Sequence, residues 1–205
     1  PILLNELKDC LAEIVVRPLS VEAIVFVAQI CNKYSTPLTL RGSGTGNYGQ
    51  CVPLNGGVVM VMSGLRKIRH FDSKSGEITV ESGCLLRDIN DELIEHGRQL
   101  RLLPSTWRSA SVGGFIAGGS GGIGSVRWGF LRDPGHLQSL EIITTEDPPR
   151  KLELNANNSE ALNHAYGTNG IITALTLTTA PYVKWQQIVV DCIEWNQAVD
   201  LLIKF

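Results

Sequence analysis

Pro37-Leu38-Thr39-Leu40-Arg41-Gly42-Ser43-Gly44-Thr45-Gly46-Asn47-Tyr48-Gly49 runs a strand straight into a glycine loop. Gly44–Gly49 matches G-x-G-x-x-G, a pattern that holds a dinucleotide only where a helix follows at once and meets the pyrophosphate. The next residues are Gln50-Cys51-Val52-Pro53-Leu54-Asn55-Gly56-Gly57. One proline and two glycines oppose such a helix, and the run after them, Val58–Met62, is β-rich. No Gly-Lys-Ser/Thr is present, so the Walker loop is excluded as well. The loop therefore reads as phosphate-holding backbone outside a Rossmann unit.

A second cluster supports that reading. Of 21 glycines, six fall in Gly42–Gly57 and eight in Gly113–Gly129. Ser111-Val112-Gly113-Gly114-Phe115-Ile116-Ala117-Gly118-Gly119-Ser120-Gly121-Gly122-Ile123-Gly124 is its core. Glycine loses more conformational entropy on ordering than any other residue and buries no side chain. Two clusters in one globular chain imply close approach of backbone to something, and strings of bare N–H groups hold phosphates. Two mobile surface loops are the plainer alternative.

Bulk composition narrows the partners. With 205 residues the chain is one large domain or two small ones, and 43% hydrophobic and 19% charged residues are ordinary for a soluble globular protein. A net charge of −2 without any Lys/Arg run speaks against nucleic acid and acidic lipid. Cys10, Cys31, Cys51, Cys84 and Cys192 are dispersed, which speaks against zinc and disulfides and fits a reducing, cytoplasmic setting. Gly42–Leu65, Ser109–Val126 and Ala161–Val183 lack charge but are broken by glycine and polar side chains, so no membrane span is expected. No signal peptide opens the chain, and a start at Pro1 leaves room for a missing N-terminus.

Periodicity predicts the elements. Leu3, Leu4, Leu7, Leu11 and Ile14 predict a helix over Ile2–Ile14, followed by a short strand ending at Pro18. Ser20 caps a helix striped by Val21, Ile24, Val25, Ala28 and Cys31. Strands are expected at Pro37–Arg41, Gly57–Met62, Arg66–Asp72 and Glu77–Glu81, the last two joined by a turn at Ser73–Gly76. Leu86, Ile89 and Leu93 line a helix stopped by Gly97. Leu137–Thr145, Lys151–Leu154 and Gly170–Thr179 read as strands, with Ser159–Tyr166 a short helix. Gln187–Ile193 reads as a strand, and Ala198, Leu201, Leu202 and Phe205 share one helical face with nothing left to cover it. That face predicts a second domain beginning near Gln187.

Four segments in order resemble the FAD-binding domain of the vanillyl-alcohol oxidase / p-cresol methylhydroxylase superfamily, the FAD-linked oxidases. They are the P-x-x-x-R-G-x-G-T loop, here Pro37–Asn47; Val80-Glu81-Ser82-Gly83-Cys84-Leu85-Leu86-Arg87-Asp88-Ile89; Pro104-Ser105 with Ser111–Gly114, Gly121-Gly122 and Arg127-Trp128-Gly129; and Gly167-Thr168-Asn169-Gly170-Ile171-Ile172-Thr173. The resemblance covers Val16–Pro181. It implies an α+β, PCMH-type fold whose two subdomains clasp FAD. Residues 1–185 form that domain, 186–205 begin a C-terminal substrate cap, and the cap is mostly absent. The 2-hydroxy-acid branch, glycolate oxidase and D-lactate dehydrogenase, is the nearest, which implies hydride transfer from a small 2-hydroxy acid to FAD. A non-catalytic flavin-binding subunit of a larger oxidase, with a partner subunit, is the alternative.

The resemblance also implies roles. Gly42, Ser43, Gly44, Thr45, Gly46 and Asn47 would wrap the pyrophosphate, with Arg41 either assisting or forming a strand-end salt bridge. Pro104, Ser105, Ser111, Val112, Gly113 and Gly114 would follow the ribityl chain and flavin edge, with Val112–Ala117 equally a close-packed helix start. Ala117, Gly118, Ser120, Gly121 and Gly124 would continue along the cofactor, and Ile171 and Ile172 would offer backbone hydrogen bonds or simply strand core. Relatives that bond FAD covalently use a histidine where this chain has Thr45, and no cysteine lies between Ser105 and Gly129, so FAD is expected to be non-covalent. His70, His96, His136 and His164 are scattered, no metal site is expected, and no nucleophile–base set stands out. Should the substrate site lie within this chain, Arg108 and Arg127 are the first candidates to hold a carboxylate.

Overall fold

The computed structural model describes residues 4–186 and 188–204. Its elements run α1 (Leu4–Leu7), β1 (Ile14–Val16), α2 (Val21–Lys33), β2 (Leu38–Arg41), β3 (Val58–Val61), β4 (Ile68–Asp72), β5 (Glu77–Glu81), α3 (Leu86–Glu95), β6 (Arg98–Leu100), α4 (Val112–Gly118), α5 (Ser125–Trp128), β7 (Leu137–Ile143), β8 (Lys151–Asn155), β9 (Ile171–Pro181) and α6 (Trp195–Lys204).

Two sheets make two subdomains. The first is parallel, in the order β1-β3-β2, with α2 packed on it through Ile24 and Ala28. Ser20 caps α2, accepting from the Ala23 N–H at 3.2 Å. The second sheet has the order β4-β5-β9-β7-β8, and β6 pairs with the far end of β9. Both neighbours of β9 run antiparallel to it, so this eleven-residue strand is the spine of the larger subdomain. Its core unites Val80, Leu86, Ile89, Leu93, Ile116, Leu140 and Leu175. Ile143 on β7 and Ile171 on β9 leave that core and pack with Met60, Met62 and Leu65 in the first. The two subdomains are thereby joined by burial of apolar surface.

Three expectations are corrected. The N-terminal helix does not reach Ile14: within the described residues it ends at Leu7, and Ile14 enters β1 opposite Val58. Leu11 is 71% exposed, so its apolar stripe packs on nothing that would sustain a helix. Ser159–Tyr166 is only a single 3-10 turn, Ser159–Leu162, because His164 (φ 62°) and Tyr166 (φ 52°) turn left-handed. Their N–H groups go to the carbonyls of Ile116 at 3.0 Å and Ala117 at 2.9 Å, satisfying the end of α4. The described residues of Gln187–Ile193 form no strand, since no partner strand lies beside them, and Gln187 itself lies outside the described residues. The helix that follows exists as α6 but buries none of its described residues; Phe205 lies outside them. Two elements, β6 and α5, go beyond the expected set.

Candidate functional site: a glycine-lined cleft between the subdomains

A cleft opens where the two glycine clusters meet. Gly42–Gly46 form one wall, and Ser111, Gly113, Gly114, Ala117 and Gly118 form the opposite one. The two walls nearly touch at their base: a Cβ on Gly42 would collide with Ser111 Oγ and come within 3.3 Å of Gly114 Cα. The sequence reason is direct, because only glycine at both positions lets backbone approach backbone so closely.

The first wall is an array of donors. Among the described residues, the main-chain N–H groups of Ser43, Gly44, Thr45, Gly46 and Asn47 donate to no protein acceptor. Such free N–H groups are costly if dry and are satisfied by water or by an anion. Gly44 adopts φ +70°, the left-handed conformation that curls the loop.

The second wall is held differently. Val112 N–H donates to the Cys84 carbonyl and Gly113 N–H to the Ser82 carbonyl, both at 2.8 Å. A Cβ at Gly113 would meet Ser82 Cβ at 2.6 Å and its carbonyl oxygen at 2.9 Å. Gly113 is therefore glycine for the sake of protein packing, and α4 is pinned on the Glu81–Cys84 turn. Gly118 is the opposite case, because the nearest atom to a Cβ there is Ser120 Oγ at 3.8 Å. Its bare face looks into open cleft.

Two buried hydroxyls complete the site. Ser82 Oγ and Ser111 Oγ, on residues 2% and 3% exposed, have no hydrogen-bond partner among the described residues, and both residues line the cleft. A buried polar atom without a partner is destabilising by roughly 1–3 kcal/mol. Two of them in one cleft offer partners to a polar ligand.

Of the residues expected at the cofactor, Gly42, Ser43, Gly44, Thr45, Gly46, Ser111, Gly113, Gly114, Ala117, Gly118 and Ile172 line this cleft. Arg41 stands behind its loop, and Asn47 continues the loop beyond the cleft. Val112 and Ile171 point into the two cores. Pro104 is buried away from the cleft, and Ser105, Ser120, Gly121 and Gly124 lie outside it. Gly124 makes room instead for the Arg101 carbonyl. The salt-bridge alternative for Arg41 finds no carboxylate among the described residues. Arg127 stacks on Trp128 at 5.0 Å and Arg108 on Trp107 at 5.0 Å, both away from the cleft.

Leu40, Gln50, Cys51, Met62, Ser82, Tyr166, Gly167 and Gly170 join the lining without having been singled out as site residues. Leu40, Ser82, Gly167 and Gly170 sit inside three of the four quoted segments, so the segments carried a signal that their individual residues did not. Tyr166 comes from the left-handed bend after the 3-10 turn, its hydroxyl 2.9 Å from His164 Nε2. Of the other histidines, His136 is buried; desolvation pulls its pKa below the usual value, and a 2.9 Å bond to the Trp128 carbonyl opposes that. No group of three or more metal-binding side chains occurs among the described residues.

The model of an FAD binding domain family matches residues 12–147 of this chain. The chain belongs to that family. The match takes in the glycine loop and both walls of the cleft. D-lactate dehydrogenase of Anaerostipes hadrus is 30% identical over 179 residues, covering 84% of this chain and 37% of that protein. The mitochondrial D-2-hydroxyglutarate dehydrogenase of Danio rerio is 25% identical over 173 residues (81% and 32%). Glycolate oxidase subunit GlcD of Bacillus subtilis is 28% identical over 129 residues (63% and 27%). The chain thus spans about a third of the length of the relatives it matches. Alkyldihydroxyacetonephosphate synthase superposes with a TM-score of 0.73 at 23% identity, over 82% of this chain and 31% of that one, which establishes a shared fold.

FAD is the family's cofactor, and this cleft fits it. The free N–H groups of Ser43–Asn47 suit a diphosphate, the orphaned Ser82 and Ser111 hydroxyls suit a polar ribityl or ring edge, and bare Gly118 leaves room for a flat ring. Among the described residues no helix is long and apolar enough to cross a membrane.

Proposed function

We propose that this chain is the flavin-binding portion of an FAD-linked oxidoreductase acting on a small 2-hydroxy acid such as glycolate or D-lactate, and that it holds FAD non-covalently. One observation carries the reading: the N–H groups of Ser43–Gly46 and the hydroxyls of Ser82 and Ser111, without protein partners among the described residues, all belong to residues that line one glycine-rich cleft. The names of the relatives support the substrate class, since lactate, glycolate and 2-hydroxyglutarate share a hydroxyl beside a carboxylate.

When bound, FAD supplies the acceptor for the hydride that leaves the hydroxyl-bearing carbon. The protein's part is binding and orientation. Ser43–Gly46 hold the diphosphate through backbone donors, with Arg41, Asn47 and the Pro104-Ser105 turn assisting from outside the cleft. Ser82 and Ser111 fix the polar edge of the cofactor, and Met62, Ala117 and Ile172 give it an apolar bed that excludes water. Thr45 offers no ring nitrogen for attachment. The substrate carboxylate is oriented by a substrate domain of which residues 186–205 are the beginning. Trp195, Leu202 and Ile203 on α6 are exposed and await such a neighbour. The same exposed face supports a second reading, a flavin-binding subunit without turnover that docks on a partner. Five free cysteines fit a reducing compartment, the cytoplasm.

The test is FAD titration followed by acid precipitation, then anaerobic mixing of the FAD-loaded chain with glycolate or D-lactate. The expected result is one FAD bound, all of it released on denaturation, and no rapid saturable bleaching by substrate. Flavin that stays with the precipitate overturns the non-covalent reading. Rapid bleaching places the substrate site within the chain and makes Arg108 and Arg127 the residues to vary.

A further inference from the structure

Arg41 ends β2 and immediately precedes the glycine loop, yet its side chain neither lines the cleft nor meets a carboxylate among the described residues. It folds back under the loop. A Cβ at Gly44 would run into the guanidinium, reaching Arg41 Cζ at 2.5 Å and Nε at 2.9 Å. From there Nη1 donates to Cys51 Sγ at 3.4 Å, across to the segment that returns from the loop. Both Gly44 and Cys51 line the cleft, so the guanidinium is a brace between two parts of its wall. Sulfur is a weak acceptor and guanidinium carries five donors, so most of this cation's capacity is unspent on protein. Its charge stands directly behind the N–H groups of Ser43–Asn47, where it adds to their attraction for an anion.

We propose that Arg41 is a positioning residue: it shapes the glycine loop by occupying the space a side chain at Gly44 would take, braces it to Cys51, and charges it from behind for a diphosphate that Arg41 itself does not touch. Gly44 is glycine for its left-handed turn, and a Cβ added there would also displace the arginine head beneath it. An arginine suits this place better than lysine because its flat, rigid head fills the space under the turn.

This rests on FAD binding in the cleft, and the experiment separates the two ideas. FAD dissociation constants are measured for wild type, Arg41→Lys, Arg41→Gln, Arg41→Ala, Gly44→Ala and the Arg41→Ala/Gly44→Ala double variant, at low and high salt. Gly44→Ala alone is expected to weaken FAD more than thirtyfold. In the Arg41→Ala background its added loss is expected to be at least fivefold smaller than in the wild type, leaving only the part due to the left-handed backbone. Arg41→Gln is expected to weaken FAD about tenfold and to flatten the salt dependence, while Arg41→Lys keeps the salt dependence and loses part of the affinity. Multiplicative losses in the double variant, or wild-type affinity and salt dependence in Arg41→Gln, overturn the proposal. The same cycle on the urea midpoint of the cofactor-free protein reads the Arg41–Gly44 contact without flavin. Failure of the wild type to bind FAD then overturns the cofactor reading alone, and the midpoints still decide the contact.

Discussion

The two glycine clusters look alike in sequence and do different work. In Gly42–Gly46 the main chain from Ser43 onward is free, its N–H groups unclaimed and its turn set by Gly44 over Arg41. In Gly113–Gly124 most glycines are occupied by protein: Gly113 by Ser82, Gly122 by the Leu103 carbonyl and Gly124 by the Arg101 carbonyl. Gly113, Gly114 and Gly118 of that cluster line the cleft, and of these Gly113 is already packed on Ser82. Glycine density therefore reports close approach, but not what approaches. The first cluster leaves backbone donors open to a ligand, and the second mainly lets one subdomain close on itself, with a few bare positions left on the cleft.

The largest expected effect would break this contrast at Gly113. Gly113→Val should destabilise the cofactor-free protein by about 3 kcal/mol, at the upper end for overpacking, because Ser82 leaves no room and both are pinned by a hydrogen bond. Urea unfolding checks it; a stable variant that merely binds FAD poorly would make Gly113 a ligand glycine after all. Gly118→Ala should do the reverse. Stability should hold or rise by up to about 1 kcal/mol, as for any helical Gly→Ala without a clash, while FAD affinity falls several-fold.

Next come the orphaned hydroxyls. Ser82→Ala and Ser111→Ala should each raise cofactor-free stability by about 1 kcal/mol and weaken FAD by about 1 kcal/mol, the net worth of one hydrogen bond. Opposite signs in the two assays are the signature; a loss in both would mean the hydroxyls serve the fold. Thiol labelling sharpens the same map. Burial pushes the Cys84 thiol up to about 12 and raises that of Cys31, so neither should react in the folded protein near pH 8. Cys51, half-buried in the cleft, should react and be protected by FAD; mass spectrometry of the labelled peptides decides.

The smallest effect sits beneath the second cluster. The pKa of His136 is held below its unfolded value in the folded protein, so its contribution is complete above about 6.5. Stability should decline as pH falls from there toward its folded value, and His136→Gln should remove that part of the slope.

Much of the fold was legible because its signals are local. The Ser20 cap with the α2 stripe, the Ser73–Gly76 turn and the alternation in β9 each specify an element from neighbouring residues. The rest depends on partners far along the chain. β1 takes Ile14 from a helical pattern because Val58 is there to pair with it. β6 is a strand only because the end of β9 lies beside Arg98–Leu100, two of whose three residues are polar. Gln187–Ile193 has the composition of a strand, yet its described residues have no neighbouring strand, so strand propensity alone did not suffice. At the site, the loop was readable from spacing, whereas Ser82, Cys51 and Tyr166 reach the cleft by tertiary folding and carry no pattern of their own.

The most direct test is amide exchange at single-residue resolution, with and without FAD. Bound FAD should slow exchange of the Ser43–Asn47 amides by at least tenfold and leave those of Val112 and Gly113, already bonded to Cys84 and Ser82, nearly unchanged. FAD that binds while Ser43–Asn47 exchange as fast as before would contradict the account, because the diphosphate would then be held elsewhere.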